Sequence, residues 1–293
     1  MYKIAILGCE NSHANGFLSL INVQKKYPDL EVIGVYSDDM EASNKLCEKF
    51  GVPVLTSYDE VVGKVDGIII TARHGDNHLK YAKPYIASGI PMFIDKPITC
   101  SEEDSLELAR LSKANGVKLC GGSICGVLSE IVELSEKVKS GEVREISCGH
   151  VSAPFEPVND YGNFYFYTEH LIDMMTAVFG CGIKEICADI RDRDASAIVQ
   201  YEDYNVTCSY TTRVGAPYAV TVYANSGVYD VKPDLFRADF ANYIPELDSL
   251  LNLLKGGEME KSYEEFILPT FVMNAMMRSS EKRGWEKLNE IKL

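Results

Sequence analysis

Short apolar runs alternate with amphipathic stretches through the first 120 residues. The runs at 3–7, 32–36, 67–71, 92–94 and 117–119 are unbroken enough to predict strands buried on both faces. Between them apolar residues return at helical spacing over about 12–26, 40–49, 77–88 and 102–114. The last stretch is marked at both ends. Ser101 can cap it, Glu102, Glu103 and Asp104 suit the positive helix start, and Gly116 lies just beyond its end. Strands and helices alternating in this way predict βαβ units, hence a parallel sheet covered on both faces that takes ligands at its carboxyl edge.

The pattern changes after a bridging helix at about 126–139. Strands at 183–190, 196–201, 205–212, 218–223 and 228–231 follow one another on turns such as Arg191-Asp192 and Glu202-Asp203. That succession predicts an antiparallel sheet with one face free. A helix at about 164–179 interrupts this region, and two late helices at about 238–255 and 264–281 flank Gly256-Gly257. The expected fold class is α/β: a doubly wound parallel-sheet domain over 1–121, then an α+β domain with a largely antiparallel sheet over 122–293.

Composition narrows the function classes. A chain of 293 residues accommodates two cores, and 46% hydrophobic against 25% charged residues excludes wholesale disorder. The net charge of −14 argues against nucleic-acid and anionic-membrane partners, which need a basic surface. Apolar runs fall short of the roughly 18 residues of a membrane span. Met1-Tyr2-Lys3 leads straight into the first strand rather than into an export signal, so the expected location is cytoplasmic. Nine cysteines scattered from Cys9 to Cys208, with no Cys-x-x-Cys pair, suit reduced thiols and suggest no metal site.

The first strand runs into Gly8-Cys9-Glu10-Asn11-Ser12-His13, where a dinucleotide fold normally carries G-x-G-x-x-G. Only Gly8 matches; Glu10 and His13 hold the other glycine positions, and Ser12 with its neighbouring amides is the candidate phosphate donor. The second strand ends at Ser37-Asp38-Asp39. A carboxylate there accepts from ribose hydroxyls and repels a 2′-phosphate, which favours NAD(H) over NADP(H); alternatively the pair caps the next helix. The strand at 92–94 runs into Asp95-Lys96-Pro97. A lysine at the carboxyl end of a parallel strand points into the ligand crevice, where partial burial suits it to proton transfer; the alternative is a solvated turn.

Asp95-Lys96-Pro97 resembles the Glu-Lys-Pro signature of the glucose–fructose oxidoreductase/inositol dehydrogenase/MocA (Gfo/Idh/MocA) family. Thr71 at the end of the third strand, His78 in Asn77-His78-Leu79-Lys80-Tyr81-Ala82, and Ser140-Gly141-Glu142-Val143 lie at family-like positions around it. The resemblance covers essentially the whole chain. It implies a Rossmann domain followed by a mainly antiparallel substrate domain, with a nicotinamide cofactor held by Gly8, Ser12, His13, Ser37, Asp38, Thr71, His78, Asp95, Lys96 and Pro97. It implies Lys96 and a helical histidine, matched by His170, as catalytic residues, and a substrate contacted by Lys96, Tyr167, His170 and Asp173. The family pattern D-x-G-x-H-x-x-D keeps His170 and Asp173 here but has Phe166 and Thr168 for its first Asp and Gly. Tyr165, Tyr167 and Glu169 are neighbouring substitutes. The loop at 72–77 is about two residues longer than is usual, which offers Arg73 or His74 to substrate or cofactor. His150 sits in an alternating strand and reads as packing or surface; the cluster from Phe164 to Tyr167 offers a stacking platform for a sugar face but reads more simply as core, and Cys9 and Cys125 read as cysteines close to the ligand crevice.

The implied activity is hydride transfer between NAD(P), NAD before NADP, and a sugar, cyclitol or related polyol. Two alternatives stand beside it: NAD-dependent glycoside cleavage through transient oxidation, and a non-catalytic nucleotide or sugar sensor. The resemblance also implies a homo-oligomer, dimer or tetramer, built through the C-terminal sheet.

Overall fold

Five strands and four helices alternate from the N-terminus in the computed structural model, which describes residues 1–212, 218–235 and 237–293. They are β1 (Tyr2–Leu7), α1 (Ser12–Leu18), β2 (Leu30–Tyr36), α2 (Met40–Phe50), β3 (Gly67–Ile70), α3 (Asp76–Ile86), β4 (Met92–Asp95), α4 (Glu102–Ala114) and β5 (Leu119–Gly122). The strands form one parallel sheet in the order β2-β1-β3-β4-β5. Ile4–Leu7, all of β3 and all of β4 are buried. That is why these strands read as unbroken apolar runs rather than as alternation. Two boundaries differ from expectation. The first helix passes at Ser19 into a π-turn, Ser19–Val23, where the Ser19 hydroxyl donates to the Asn15 carbonyl and competes with the helical ladder. The fifth strand starts at Leu119 rather than at 117, because the Val117 amide is bonded to the Ser112 carbonyl at the end of α4 and its carbonyl to the Tyr263 hydroxyl.

The next stretch holds α5 (Ser129–Lys139), β6 (Ile146–Pro154), α6 (Tyr165–Phe179), β7 (Glu185–Ile190), β8 (Asp194–Gln200), β9 (Asn205–Thr211), β10 (Ala219–Ala224) and β11 (Gly227–Val231). With β12 (Glu286–Lys287) these strands make a second sheet in the order β11-β10-β6-β9-β8-β7-β12. Neighbours are antiparallel except β6 and β9, which run parallel. In β8 and β9 every second residue is buried, so one face packs and the other is open. The Tyr210 hydroxyl of β9 reaches the Thr168 carbonyl of α6, fixing that helix on the packed face.

The chain closes with α7 (Ile244–Leu254) and α8 (Tyr263–Lys282). The expected single helix over about 238–255 is broken, because Asp239 and Phe240 adopt positive φ of 57° and 59° in the preceding 3₁₀ segment. Two units result. The first comprises Met1–Gly122, Phe236–Ile267 and Lys292–Leu293; the second comprises Ser123–Leu235 and Leu268–Ile291. Leu247, Leu250 and Leu253 of α7 share the first unit's core with Phe17, Leu20 and Phe93. This packing requires a glycine at 16, since a Cβ there would stand 2.5 Å from the Tyr243 ring. In the second unit Ser279 and Ser280, near the end of α8, accept from the amides of Ala188 and Ile190 and secure β7. All nine cysteines are free. Among the described residues no helix is long and apolar enough to cross a membrane.

Candidate functional site

In the first unit the strand order reverses between β1 and β3, and a crevice opens at the carboxyl ends of such strands. Gly8 follows β1 with φ of 77°, and a Cβ there would lie 2.3 Å from the Ala72 nitrogen. Only glycine lets the two loops touch. The Thr71 hydroxyl donates to the Gly8 carbonyl at 3.0 Å and locks them. Glu10 occupies a glycine position without facing a phosphate unopposed. Its carboxylate accepts from the Ser37 hydroxyl at 2.6 Å and the Arg73 amide at 3.0 Å, which ties it across the ends of β2 and β3. Asn11 caps α1 by accepting from the His13 amide, and Ser12 stands exposed at the helix start. Asp38 accepts from Tyr36 at 2.6 Å, Tyr81 at 2.9 Å and Lys80 at 3.3 Å. The Tyr36 hydroxyl is the first cause that holds this carboxyl below its ordinary range. Its neighbour Asp39 is the cap of α2, accepting from the Ala42 amide, so the two acids divide the roles left open by the sequence. An exposed hydroxyl at a helix start, with carboxylates at the end of β2, fits the pyrophosphate and ribose of a dinucleotide.

The Asp95-Lys96-Pro97 turn leaves β4 at the same edge, with all three residues buried and the Lys96–Pro97 bond cis. His78 is fully buried beneath it. Its Nε2 lies 2.8 Å from the Ala72 carbonyl and its Nδ1 3.2 Å from that of Ile98. Burial, with Lys96 adding, lowers its pKa to about 4; a neutral ring carries one N–H, so it donates to one of these two carbonyls and packs against the other. Burial raises Asp95 to about 7, against the pull of the Lys96 charge. Its Oδ2 accepts from Asn11 Nδ2 at 2.8 Å and lies 3.3 Å from His13 Nδ1. The far side of the His13 ring faces Glu246 of α7, with Nε2 3.8 Å from Oε2. Sequence reasoning missed Glu246. Its one signal is a lone acid on the apolar stripe it shares with Leu250 and Leu253 of α7.

In the second unit His170 sits on α6, buried, with its ring edge-on to Tyr167 at 5.2 Å and Tyr218 at 6.0 Å. Its Nδ1 is 2.6 Å from the Ser123 hydroxyl and 3.5 Å from the Cys125 thiol. Asp173 accepts from the Ser123 amide at 2.6 Å; it steadies the residue that holds the histidine. Ser123 was also missed, although Cys125 beside it was not. Phe166, at the position of the lost acid, is buried against Tyr161, and Phe164 packs on Phe155. The Tyr165 hydroxyl donates to Asn274. His150 bonds Thr207 on the sheet. Back in the first unit, ligand atoms of His74, Asp76 and Cys100 lie within 4.8 Å of one another, a set that could hold a metal ion.

Residues 2–123 match the model of an oxidoreductase family with an NAD-binding Rossmann fold, GFO_IDH_MocA. The uncharacterized oxidoreductase YhhX of Escherichia coli (strain K12) is 26% identical over 133 residues, which span 42% of this chain and 38% of that protein. The structure of GenD2 from gentamicin A biosynthesis in complex with NAD superposes with a TM-score of 0.86 at 15% identity, over 99% of this chain and 97% of that one. Myo-inositol 2-dehydrogenase from Lactobacillus plantarum gives 0.84 at 15% identity, over 98% and 99%. At these identities the two superpositions establish a common fold.

Proposed function

We propose that the chain, whose residues 2–123 match the GFO_IDH_MocA oxidoreductase family model with its NAD-binding Rossmann fold, is an NAD-dependent dehydrogenase of that family acting on a carbinol of a sugar, cyclitol or related polyol. The observation that carries this reading is Lys96, buried in the turn that leaves β4 at the crevice edge. The substrate class is supported by the two superposed structures, one from gentamicin A biosynthesis and one a myo-inositol 2-dehydrogenase. Bound NAD supplies the hydride acceptor. Lys96 orients the substrate oxygen and stabilises the charge it develops. His170 takes the hydroxyl proton at Nε2 while its Nδ1–H is held by Ser123. Tyr167, against the His170 ring, and Asp173, through Ser123, keep that imidazole in place. The family and its oxidoreductase relative favour this over the sensor and the glycoside-cleaving alternatives.

The experiment is a calorimetric titration of cofactor-stripped protein with NADH and NADPH, followed by a polyol panel. NADH is expected to bind at micromolar strength and NADPH at least about tenfold more weakly, roughly 1.4 kcal/mol, because carboxylates at the end of β2 oppose a 2′-phosphate. Asp38→Asn is expected to narrow the gap. Failure of both nucleotides to bind the folded protein overturns the reading.

The open face of the second sheet exposes Ile198, Tyr223 and Val228, which supports a homo-oligomer built through it. Light scattering is expected to give a dimer or tetramer mass, and a monomer at micromolar concentration removes this assignment.

A further inference from the structure

Three side chains that the proposed mechanism does not use converge within the first unit: His74 just before α3, Asp76 as its first residue, and Cys100 beside the Ser101 cap of α4. One ligand atom of each, an imidazole nitrogen, a carboxylate oxygen and the thiol sulfur, lies within 4.8 Å of the other two. His74 and Asp76 are far from Cys100 along the chain, which is why no metal spacing is legible in the sequence. The backbone builds the convergence. The His74 carbonyl accepts from the Asn77 amide and the Gly75 carbonyl from the His78 amide, both at 3.0 Å, so the chain coils here with His74 and Asp76 flanking Gly75. Gly75 lies hard against the turn that follows Lys96. A Cβ on it would stand 3.0 Å from Pro97 Cγ and 3.1 Å from both the Pro97 carbonyl oxygen and the Thr99 carbonyl carbon. Thr99 is fixed in turn, its hydroxyl donating to the Ser101 carbonyl at 2.7 Å and meeting that of Ser105 at 2.7 Å. Cys100, between Thr99 and Ser101, is thereby held beside the other two.

The donor set selects the ion. Magnesium and calcium take oxygen ligands, whereas thiolate and imidazole together with a carboxylate suit zinc. His74 Nδ1 accepts from the Asp76 amide at 3.3 Å, so it presents the lone pair with which an imidazole binds metal, and an ion there takes the place of that long bond. The same nitrogen lies 3.7 Å from Asp76 Oδ2. Tetrahedral zinc, with bonds of about 2.0–2.3 Å, spaces its ligands roughly 3.3–3.6 Å apart, so closing the set moves side chains by on the order of an ångström. Cys100 binds as the thiolate and gives its proton to solvent; with the Asp76 carboxylate it balances the two charges of the ion. The start of α3 opposes a cation with only about half a charge. His74 and Cys100 are partly buried and Asp76 is exposed, which gives the ion a way in and leaves a fourth position to water.

We propose that His74, Asp76 and Cys100 bind one zinc-class divalent cation, which clips the 72–77 loop to the turn after Lys96. This gives a role to a loop about two residues longer than the family pattern. The proposal is independent of the dehydrogenase reading, because no nucleotide and no turnover enter it.

The test is a titration of the untagged, reduced, metal-free full chain with cobalt(II), read by the thiolate-to-cobalt charge-transfer band, followed by zinc. One cobalt ion per chain is expected to develop the band at micromolar metal, and zinc to displace it. Cys100→Ser is expected to abolish the band. His74→Asn and Asp76→Asn are each expected to weaken binding at least about tenfold, since even partners beyond the ligands are worth about 10–100-fold. Cys148 and Cys181 are the exposed thiols, and a chain carrying Cys148→Ser and Cys181→Ser is expected to keep the wild-type titration. No band at micromolar metal, a band that survives Cys100→Ser, or one that vanishes with Cys148 and Cys181 overturns the proposal. If Cys100→Ser does not fold, His74→Asn decides, and wild-type affinity in that variant overturns it equally. The clip has its own readout in hydrogen exchange. Zinc is expected to slow the amides of residues 72–77 about tenfold or more in the wild type and to leave them unchanged in Cys100→Ser. Unchanged exchange in zinc-loaded wild type removes the clip.

Discussion

Replacing Lys96 with alanine is expected to lower kcat by about 10²–10³-fold, the usual cost of removing one preorganised donor to a developing oxyanion, while leaving the NADH dissociation constant within about threefold. The asymmetry follows from position. Lys96 leaves the carboxyl end of β4, whereas the groups assigned to the pyrophosphate and ribose lie on α1 and at the end of β2. Packing is a competing account, because Lys96 is only 4% exposed and its truncation opens space in a tight turn. Lys96→Met separates the two, keeping the aliphatic stem and discarding the charge. If charge is what matters, Met and Ala lose turnover alike and both keep wild-type thermal unfolding within a few degrees. Either variant turning over at the wild-type rate would sink the assigned role. A further consequence concerns Asp95. Lys96 is what restrains its burial-raised pKa, so both variants should carry Asp95 protonated across neutral pH.

Why so much of the first unit is legible in the sequence, and so little of the wiring at its site, comes down to range. β1, β3 and β4 are buried on both faces, so their local composition announces them. The caps at Ser101 and Asp39 act over three residues and are equally local. β6 escaped the strand series because its neighbours, β9 and β10, come more than fifty residues later; only its alternation around His150 showed. β12, two residues long, has no pattern to read. At the site, the turn Asp95-Lys96-Pro97 was visible as a motif, yet what Asp95 touches was not. Glu246 arrives on α7 from about 150 residues downstream, and no period or spacing relates the two. Glu10 presents the opposite case. Read alone, a carboxylate at a glycine position argues against a dinucleotide; bonded to Ser37 and the Arg73 amide, it becomes an acceptor at the end of β2.

His170→Asn is expected to lower kcat by about 10²–10³-fold, within the range that a positioned base contributes, and the manner of the loss separates a base from a packing residue. On the proposed mechanism Ser123 acts through His170 Nδ1, which lies 2.6 Å from its hydroxyl. Its removal should cost about one hydrogen bond, on the order of 1.4 kcal/mol or tenfold in kcat, because the ring can then turn or carry its proton on the wrong nitrogen. Once His170 is gone, Ser123 has no imidazole left to hold, and its hydroxyl keeps only its cap on the 124–126 turn, accepting from the Cys125 amide. The double variant Ser123→Ala/His170→Asn should therefore be no slower than His170→Asn alone, a coupling of about the full Ser123 effect. Independent structural damage would instead add. Additive losses in that cycle, or a His170→Asn protein that turns over at the wild-type rate, would show that the proton leaves by another group. Tyr167 is the first to try, since its ring already lies 5.2 Å from that of His170. The lost acid of the family pattern cannot be restored through Phe166, which is buried against Tyr161 and packed away from solvent. On the proposed assignment the base has a serine at its back where the pattern would have led one to look for a carboxylate.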